Sequence, residues 1–166
     1  MNIGIAVLGF AHGHVNAYLQ QWKSMEGVDL VGAWDHDPER LSQNCQSFGI
    51  DAFDNVESLL QQDKVTSAVI ASETSMHADL CEKAAAAGKA IIVQKPMSLT
   101  LSDADRIIEC VERANVPFTL AWQMRTDPQN LQMKQLIEEG ALGRIVMVRR
   151  RHGLGTHLWP WIQDSW

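Results

Sequence analysis

The chain has 166 residues, 46% of them hydrophobic and 20% charged, with a formal net charge of −6. That length holds one domain, or one and the start of another, and the apolar share excludes a disordered or fibrous chain. The acidic balance argues against a general nucleic-acid binder, whose phosphate contacts need a basic face.

In chain order, Ile3-Gly4-Ile5-Ala6-Val7-Leu8-Gly9 reads as a buried strand ending in glycine. Val15, Tyr18, Leu19 and Trp22 follow at the spacing of an amphipathic helix. Residues 28–34 form a second apolar strand closed by Asp35. Pro38 suits the first turn of the next helix, which Asp37 caps and which buries Leu41, Cys45 and Phe48. A brief strand over 51–53 precedes Asp54-Asn55-Val56-Glu57, which has capping-box spacing. Residues 67–71 read as a strand, and a helix from about 77 to 87 stops at Gly88. Another strand covers 90–93, and Ser102 is expected to cap a helix carrying Ile107, Ile108 and Val111 on one face. Pro117 ends that unit, a strand covers 118–122, and a helix from about 128 to 139 stops at Gly140. Residues 145–148 read as a last strand, and Trp159, Trp161 and Trp166 crowd the tail.

Strands alternating with helices imply right-handed βαβ crossovers and a parallel sheet covered on both faces. The expected fold is α/β, a doubly wound parallel sheet of the Rossmann type, strand order 3-2-1-4-5-6, with a stub of a second α+β domain. The cofactor-type domain is assigned to 1–122. Residues 123–166 supply a linking helix, a first strand and a tail of the second. The tail and the unpaired last strand make self-association, as a homo-oligomer, the expectation. No stretch approaches the roughly 20 apolar residues that cross a bilayer, and the first residues lack the pattern of a secretory signal. Cys45, Cys81 and Cys110 lie far apart with no C-x-x-C pair, so free buried thiols and a cytoplasmic location are expected, with neither membrane nor nucleic acid as partner.

In such sheets ligands sit beyond the carboxyl ends of the strands, where strand order reverses. The turn there reads Gly9-Phe10-Ala11-His12-Gly13-His14. A dinucleotide fingerprint wants glycines at its first, third and sixth positions; here Ala11 and His14 replace the second and third, with Gly13 beside. Alanine adds only a methyl, so a phosphate can still reach the N–H groups and dipole of the helix start. Asp35 ends the second strand, where an acid accepts hydrogen bonds from both ribose hydroxyls. No arginine directly follows it to offset a 2′-phosphate, which favours NAD over NADP. Gln94-Lys95-Pro96 ends the fifth strand. Pro96 forces Lys95 to be extended, which aims that lysine, and a lysine at this tip can give a proton to a substrate oxygen. His77 opens the helix after the fourth strand, at the edge that lines the cleft; capping is its alternative role. His12 and His14, two apart and without a third ligand, do not indicate a metal.

These segments together resemble the Gfo/Idh/MocA family of NAD(P)-dependent oxidoreductases, which act mainly on sugars, inositols and related polyols. The resemblance runs over Gly9–His12, Asp35 with Asp37-Pro38-Glu39-Arg40, Thr74-Ser75-Met76-His77, Ala86-Ala87-Gly88-Lys89, Gln94-Lys95-Pro96-Met97-Ser98-Leu99-Thr100, Arg125 with Asp127-Pro128, and Glu139-Gly140-Ala141-Leu142-Gly143-Arg144-Ile145. It implies a cofactor domain followed by a larger open-faced sheet that covers the nicotinamide and binds a small sugar or polyol. The catalytic side would hold Lys95 and His77. The cofactor would be lined by Gly9, Phe10, Ala11, His12, Gly13, His14, Asp35, Ala71, Ser72, Gln94, Lys95 and Arg125. It also implies a candidate cis peptide before Pro96. Two positions depart from the family pattern: Gln94 stands where glutamate is usual, removing a charge beside Lys95, and Glu73 stands where proline is common. Family members run to about twice this length, so the expected activity is that of the cofactor half of a dehydrogenase. The alternatives are a non-catalytic dinucleotide-binding or scaffolding module, or a domain for another phosphorylated ligand such as a nucleotide-sugar.

Overall fold

The computed structural model describes residues 2–153 and 155; Trp159, Trp161 and Trp166 lie outside the described residues. Six strands form one parallel sheet in the order β3-β2-β1-β4-β5-β6, as expected. They are β1 (Ile3–Leu8), β2 (Val28–Trp34), β3 (Asp51–Ala52), β4 (Ser67–Ile70), β5 (Ala90–Val93) and β6 (Phe118–Leu120). The helices between them are α1 (His14–Trp22), α2 (Pro38–Phe48), α3 (Val56–Leu60), α4 (His77–Ala86) and α5 (Leu101–Ala114), with α6 (Pro128–Glu138) after the sheet.

Because successive strand residues face opposite ways, each central strand feeds two cores. Ala6 and Leu8 of β1, Ala68 and Ile70 of β4, and Ile91 and Val93 of β5 pack with Leu59, Leu80 and Ile107 under α3, α4 and α5. Ile5 and Val7 of β1 and Val69 of β4 pack on the other side with Val15, Leu19, Leu41 and Cys45 of α1 and α2. The three cysteines are free and buried, and burial raises the Cys81 thiol to about 12.

Local chemistry sets the ends of the helices. Asp37 caps α2 by accepting from the N–H groups of Glu39 and Arg40, and Pro38 follows it as expected. Two expected caps move. Asn55, not Asp54, caps α3 by accepting from Ser58 N–H. Thr100, not Ser102, caps α5: its Oγ1 accepts from Asp103 N–H and donates to the Asp103 carboxylate. In both cases the better cap is the residue whose extended backbone lets its oxygen reach back to the third helical amide, at φ −146 and −130.

The expected strand over 145–148 does not form. Val146, Met147 and Val148 are about four-fifths exposed, and no strand of the described residues lies beside them to complete a ladder. Helix α6 buries none of its side chains, leaving Leu131, Met133 and Ile137 about half exposed.

Candidate functional site

The carboxyl ends of β1 and β4 meet where the strand order reverses, and the loops after them touch. Gly9 has φ +91, and a Cβ there would lie 2.5 Å from Ser72 Cα, so only glycine lets the two loops close on each other. The contact is tied by main chain: His12 N–H donates to Ala71 O (2.9 Å) and Ala71 N–H to Leu8 O (2.9 Å), while Gly9 N–H ties the same loop to the end of β2 at Trp34 O (2.7 Å). Helix α1 then starts after Gly13, which has no side chain to cap it; His12 serves instead, its Nδ1 accepting from His14 N–H (3.3 Å) and its carbonyl from Val15 N–H (3.0 Å). The positive end of the helix dipole faces the loop, as an anionic group requires.

On one side of this contact lies a charged cluster. The Asp35 side chain is wholly buried and accepts four hydrogen bonds, from Phe10 N–H (2.8 Å), Asp37 N–H (2.9 Å), Arg40 Nε (2.8 Å) and Arg40 Nη2 (2.7 Å). Arg40 Nη2 also donates to Glu73 Oε1 at 2.9 Å. His36 Nδ1 sits 3.4 Å from both an Asp35 and a Glu73 oxygen. The bidentate bond to Asp35 foremost, and the charges of both acids, raise the Arg40 pKa.

On the other side lie bases. Lys95 precedes Pro96 across a cis peptide bond, and burial pulls its pKa down. His12 is lowered to about 4, first by burial and then by the charges of Lys95, His14 and His77; His14 is lowered by burial and Lys95. Gln94 is fully buried, and neither its Oε1 nor its Nε2 has a hydrogen-bond partner among the described residues. The site thus has an acid-lined end under β2 and a base-lined end at β5, joined across the start of α1.

The sequence pattern described as "Oxidoreductase family, NAD-binding Rossmann fold" (GFO_IDH_MocA) matches residues 2–121. The chain belongs to the Gfo/Idh/MocA family. It is 33% identical over 135 residues to D-apiose dehydrogenase of Paraburkholderia graminis, covering 81% of this chain and 35% of that protein. With myo-inositol 2-dehydrogenase of Thermotoga maritima it shares 28% over 150 residues, covering 90% and 44%. The solved scyllo-inositol dehydrogenase of Lactobacillus casei, with bound NAD(H) and scyllo-inositol, superposes with TM-score 0.78 at 22% identity, over 87% of this chain and 43% of that one. A 3-ketoreductase from Actinomadura kijaniata in complex with TDP-benzene and NADP superposes with TM-score 0.74 at 19% identity, over 87% and 45%. The chain spans less than half the length of these relatives. Gln94 and Glu73, the two expected departures from the family pattern, both fall in the site.

Of the residues expected to line the site, Gly9, His12, Gly13 and His14 form the loop and helix start, and Ala71 and Ser72 back it from the loop after β4. Phe10 has another role: its ring is buried in the core and its N–H is used by Asp35, so it serves the loop from beneath. Ala11 is buried beside it. Arg125 is exposed and lines a separate cleft of about 350 Å³ with Tyr18, Trp22, Thr119 and Trp122. His77 was expected to face the reacting groups, but its ring is fully buried, with Nδ1 3.2 Å from Met97 O and Nε2 3.3 Å from Ser72 O. A neutral ring carries one N–H and so donates to one of these carbonyls at a time. The ring braces the β4 loop against the loop that carries Lys95, and no face of it is open to a substrate.

The pairing of two residues named in the sequence reading escaped it. An arginine does offset Asp35: Arg40, in the first turn of α2, folds back onto it. The spacing Asp35-Asp37-Pro38-Arg40 was the available signal, since a helix capped at Asp37 turns its third residue toward the preceding loop. Glu73 lies 33 residues from Arg40, and no local pattern pairs them.

Proposed function

We propose that this chain is the cofactor-binding half of an NAD-dependent dehydrogenase acting on a sugar, inositol or related polyol. The observation that carries the reading is the polarity of the crevice, with a buried acid at the tip of β2, the positive end of the α1 dipole beside it, and a partly desolvated lysine at the tip of β5. Those residues fit a dinucleotide. Asp35 would take the adenosine ribose, the start of α1 the pyrophosphate, and the Lys95 end the nicotinamide and substrate. When bound, the nicotinamide supplies the hydride acceptor or donor. Lys95 holds the substrate hydroxyl and takes or returns its proton; a lowered pKa makes an ammonium a better proton donor near neutral pH. Gln94, being uncharged, leaves that lysine without a neighbouring carboxylate. His77 keeps the Lys95 loop in register and moves no proton. A ribose 2′-hydroxyl can donate to the Asp35 carboxylate and a 2′-phosphate, an acceptor, cannot, so NAD is the cofactor of this reading. Residues 123–166 open the substrate-binding part. Self-association, through the exposed apolar side chains of α6 and of Val146–Val148, and a cytoplasmic site of action belong to the same reading; light scattering reads the first.

Titration of NADH fluorescence tests the assignment, with folding of each variant checked by circular dichroism. Asp35→Ala is expected to weaken NADH binding at least tenfold. Lys95→Ala is expected to leave NADH affinity within twofold while removing NAD-dependent turnover across a panel of inositols and sugars. Unchanged NADH affinity in folded Asp35→Ala would defeat the cofactor assignment. Unchanged turnover in Lys95→Ala would defeat the role of the lysine.

A further inference from the structure

The acid-lined end of the crevice is closed in a specific way. A carboxylate offers about four acceptor positions, and Asp35 has all four filled by two main-chain N–H groups and two guanidinium N–H groups. The main-chain donors are fixed by the Gly9 loop and the α2 cap. A ribose diol can therefore reach Asp35 only when Arg40 slides off it. Arg40 is the movable partner, since it sits on a long side chain that is one-quarter exposed.

Glu73 decides what that movement leaves behind. Its Oε1 already holds Arg40 Nη2, from the loop after β4. Its backbone sits at φ −59 and ψ 142, the conformation a proline would adopt, so the carboxylate is an addition to the loop that asks for no change in its path. With Glu73 present, an Arg40 displaced from Asp35 stays paired. With Glu73 neutral, the same guanidinium would stand unpaired beside the ribose, which is the group that a 2′-phosphate recognises.

We propose that Glu73, by retaining Arg40 when the diol takes its place on Asp35, is the residue that makes the site select an unphosphorylated adenosine ribose over a 2′-phosphorylated one. The proposal rests on the dinucleotide reading above. Asp35 alone opposes a phosphate with a charge that Arg40 cancels. The second carboxylate restores the net negative charge.

The test is the ratio of NADH to NADPH affinity, measured by fluorescence titration on the wild-type chain, Glu73→Gln and the double variant Glu73→Gln/Arg40→Gln, each checked for folding by circular dichroism. Glu73→Pro is the second single variant, since the observed φ already suits proline. Either single variant is expected to move the ratio toward NADPH at least tenfold, and the double variant to lose most of that gain. A ratio within twofold of wild type in both folded single variants overturns the proposal. So does an equal gain in the double variant, because Arg40 would then not be the phosphate partner. Wild-type chain that binds neither coenzyme would overturn the dinucleotide reading and this proposal with it, whereas tight NADH binding with an unmoved ratio removes this proposal alone.

Discussion

Replacing Asp35 with asparagine changes few atoms and tests whether the charged quartet holds the fold together. The amide keeps one acceptor oxygen and turns the other into an NH2 donor. Whichever way it is turned, the NH2 faces one main-chain N–H, of Phe10 or Asp37, and one guanidinium N–H of Arg40. Two of the four bonds are lost. Bonds to a charged partner contribute about 1.5–3 kcal/mol each, which puts the loss at roughly 3–6 kcal/mol. Arg40 is partly exposed and keeps Glu73, so the lower end applies, about 3 kcal/mol. For a domain of this size that lowers Tm by roughly 10 °C. Urea unfolding followed by far-UV circular dichroism should show the midpoint falling with the slope unchanged. Asp37→Asn, which keeps a good cap, serves as the control and should cost only a few tenths of a kcal/mol. An Asp35→Asn variant that loses less than about 1 kcal/mol would show that the four-bond arrangement does not persist in solution.

Three further outcomes follow from the geometry. Gly9→Ala should cost more than about 3 kcal/mol, or prevent folding, because φ is +91 and the new Cβ would sit 2.5 Å from Ser72 Cα; urea unfolding reads it, and a near-neutral variant would contradict the close loop contact. Thr100→Ala should cost about 1 kcal/mol and Ser102→Ala less than half of that, since only Thr100 caps α5; equal effects would contradict the cap. Neutral His12, with a folded-state pKa of about 4 against 6.5 unfolded, supplies stability that is complete above pH 6.5 and is lost as pH falls toward 4, with a ceiling of about 3 kcal/mol. His12→Gln should flatten that decline in pH-dependent urea unfolding, and an unchanged slope would refute the assignment.

The features legible along the chain are those written within a few residues. Alternating β-branched runs and helical stripes foretell six strands and their crossovers, Asp37-Pro38 foretells the start of α2, and Gly9 marks the turn that must close tightly. Handedness and the reversal rule then carry the strand order from those elements to the crevice. Cap positions proved less legible: Thr100 and Ser102 are both able caps, and backbone conformation at the join chose between them.

What tertiary structure alone decided is which groups have been used up. Asp35 reads as an open carboxylate until Arg40 folds back and Phe10 and Asp37 supply their N–H groups. His77 reads as a base facing the cleft until two carbonyls, from Ser72 and from Met97 twenty residues on, close over its ring. Glu73 meets Arg40 only because β2 and β4 flank β1 and bring their loops to the same end of the sheet. Residues 145–148 carry a strand's composition, but a strand also needs a neighbour to share its hydrogen bonds. Propensity and period are properties of a short segment, whereas the saturation of a hydrogen-bonding group depends on every chain that passes within about 3 Å of it.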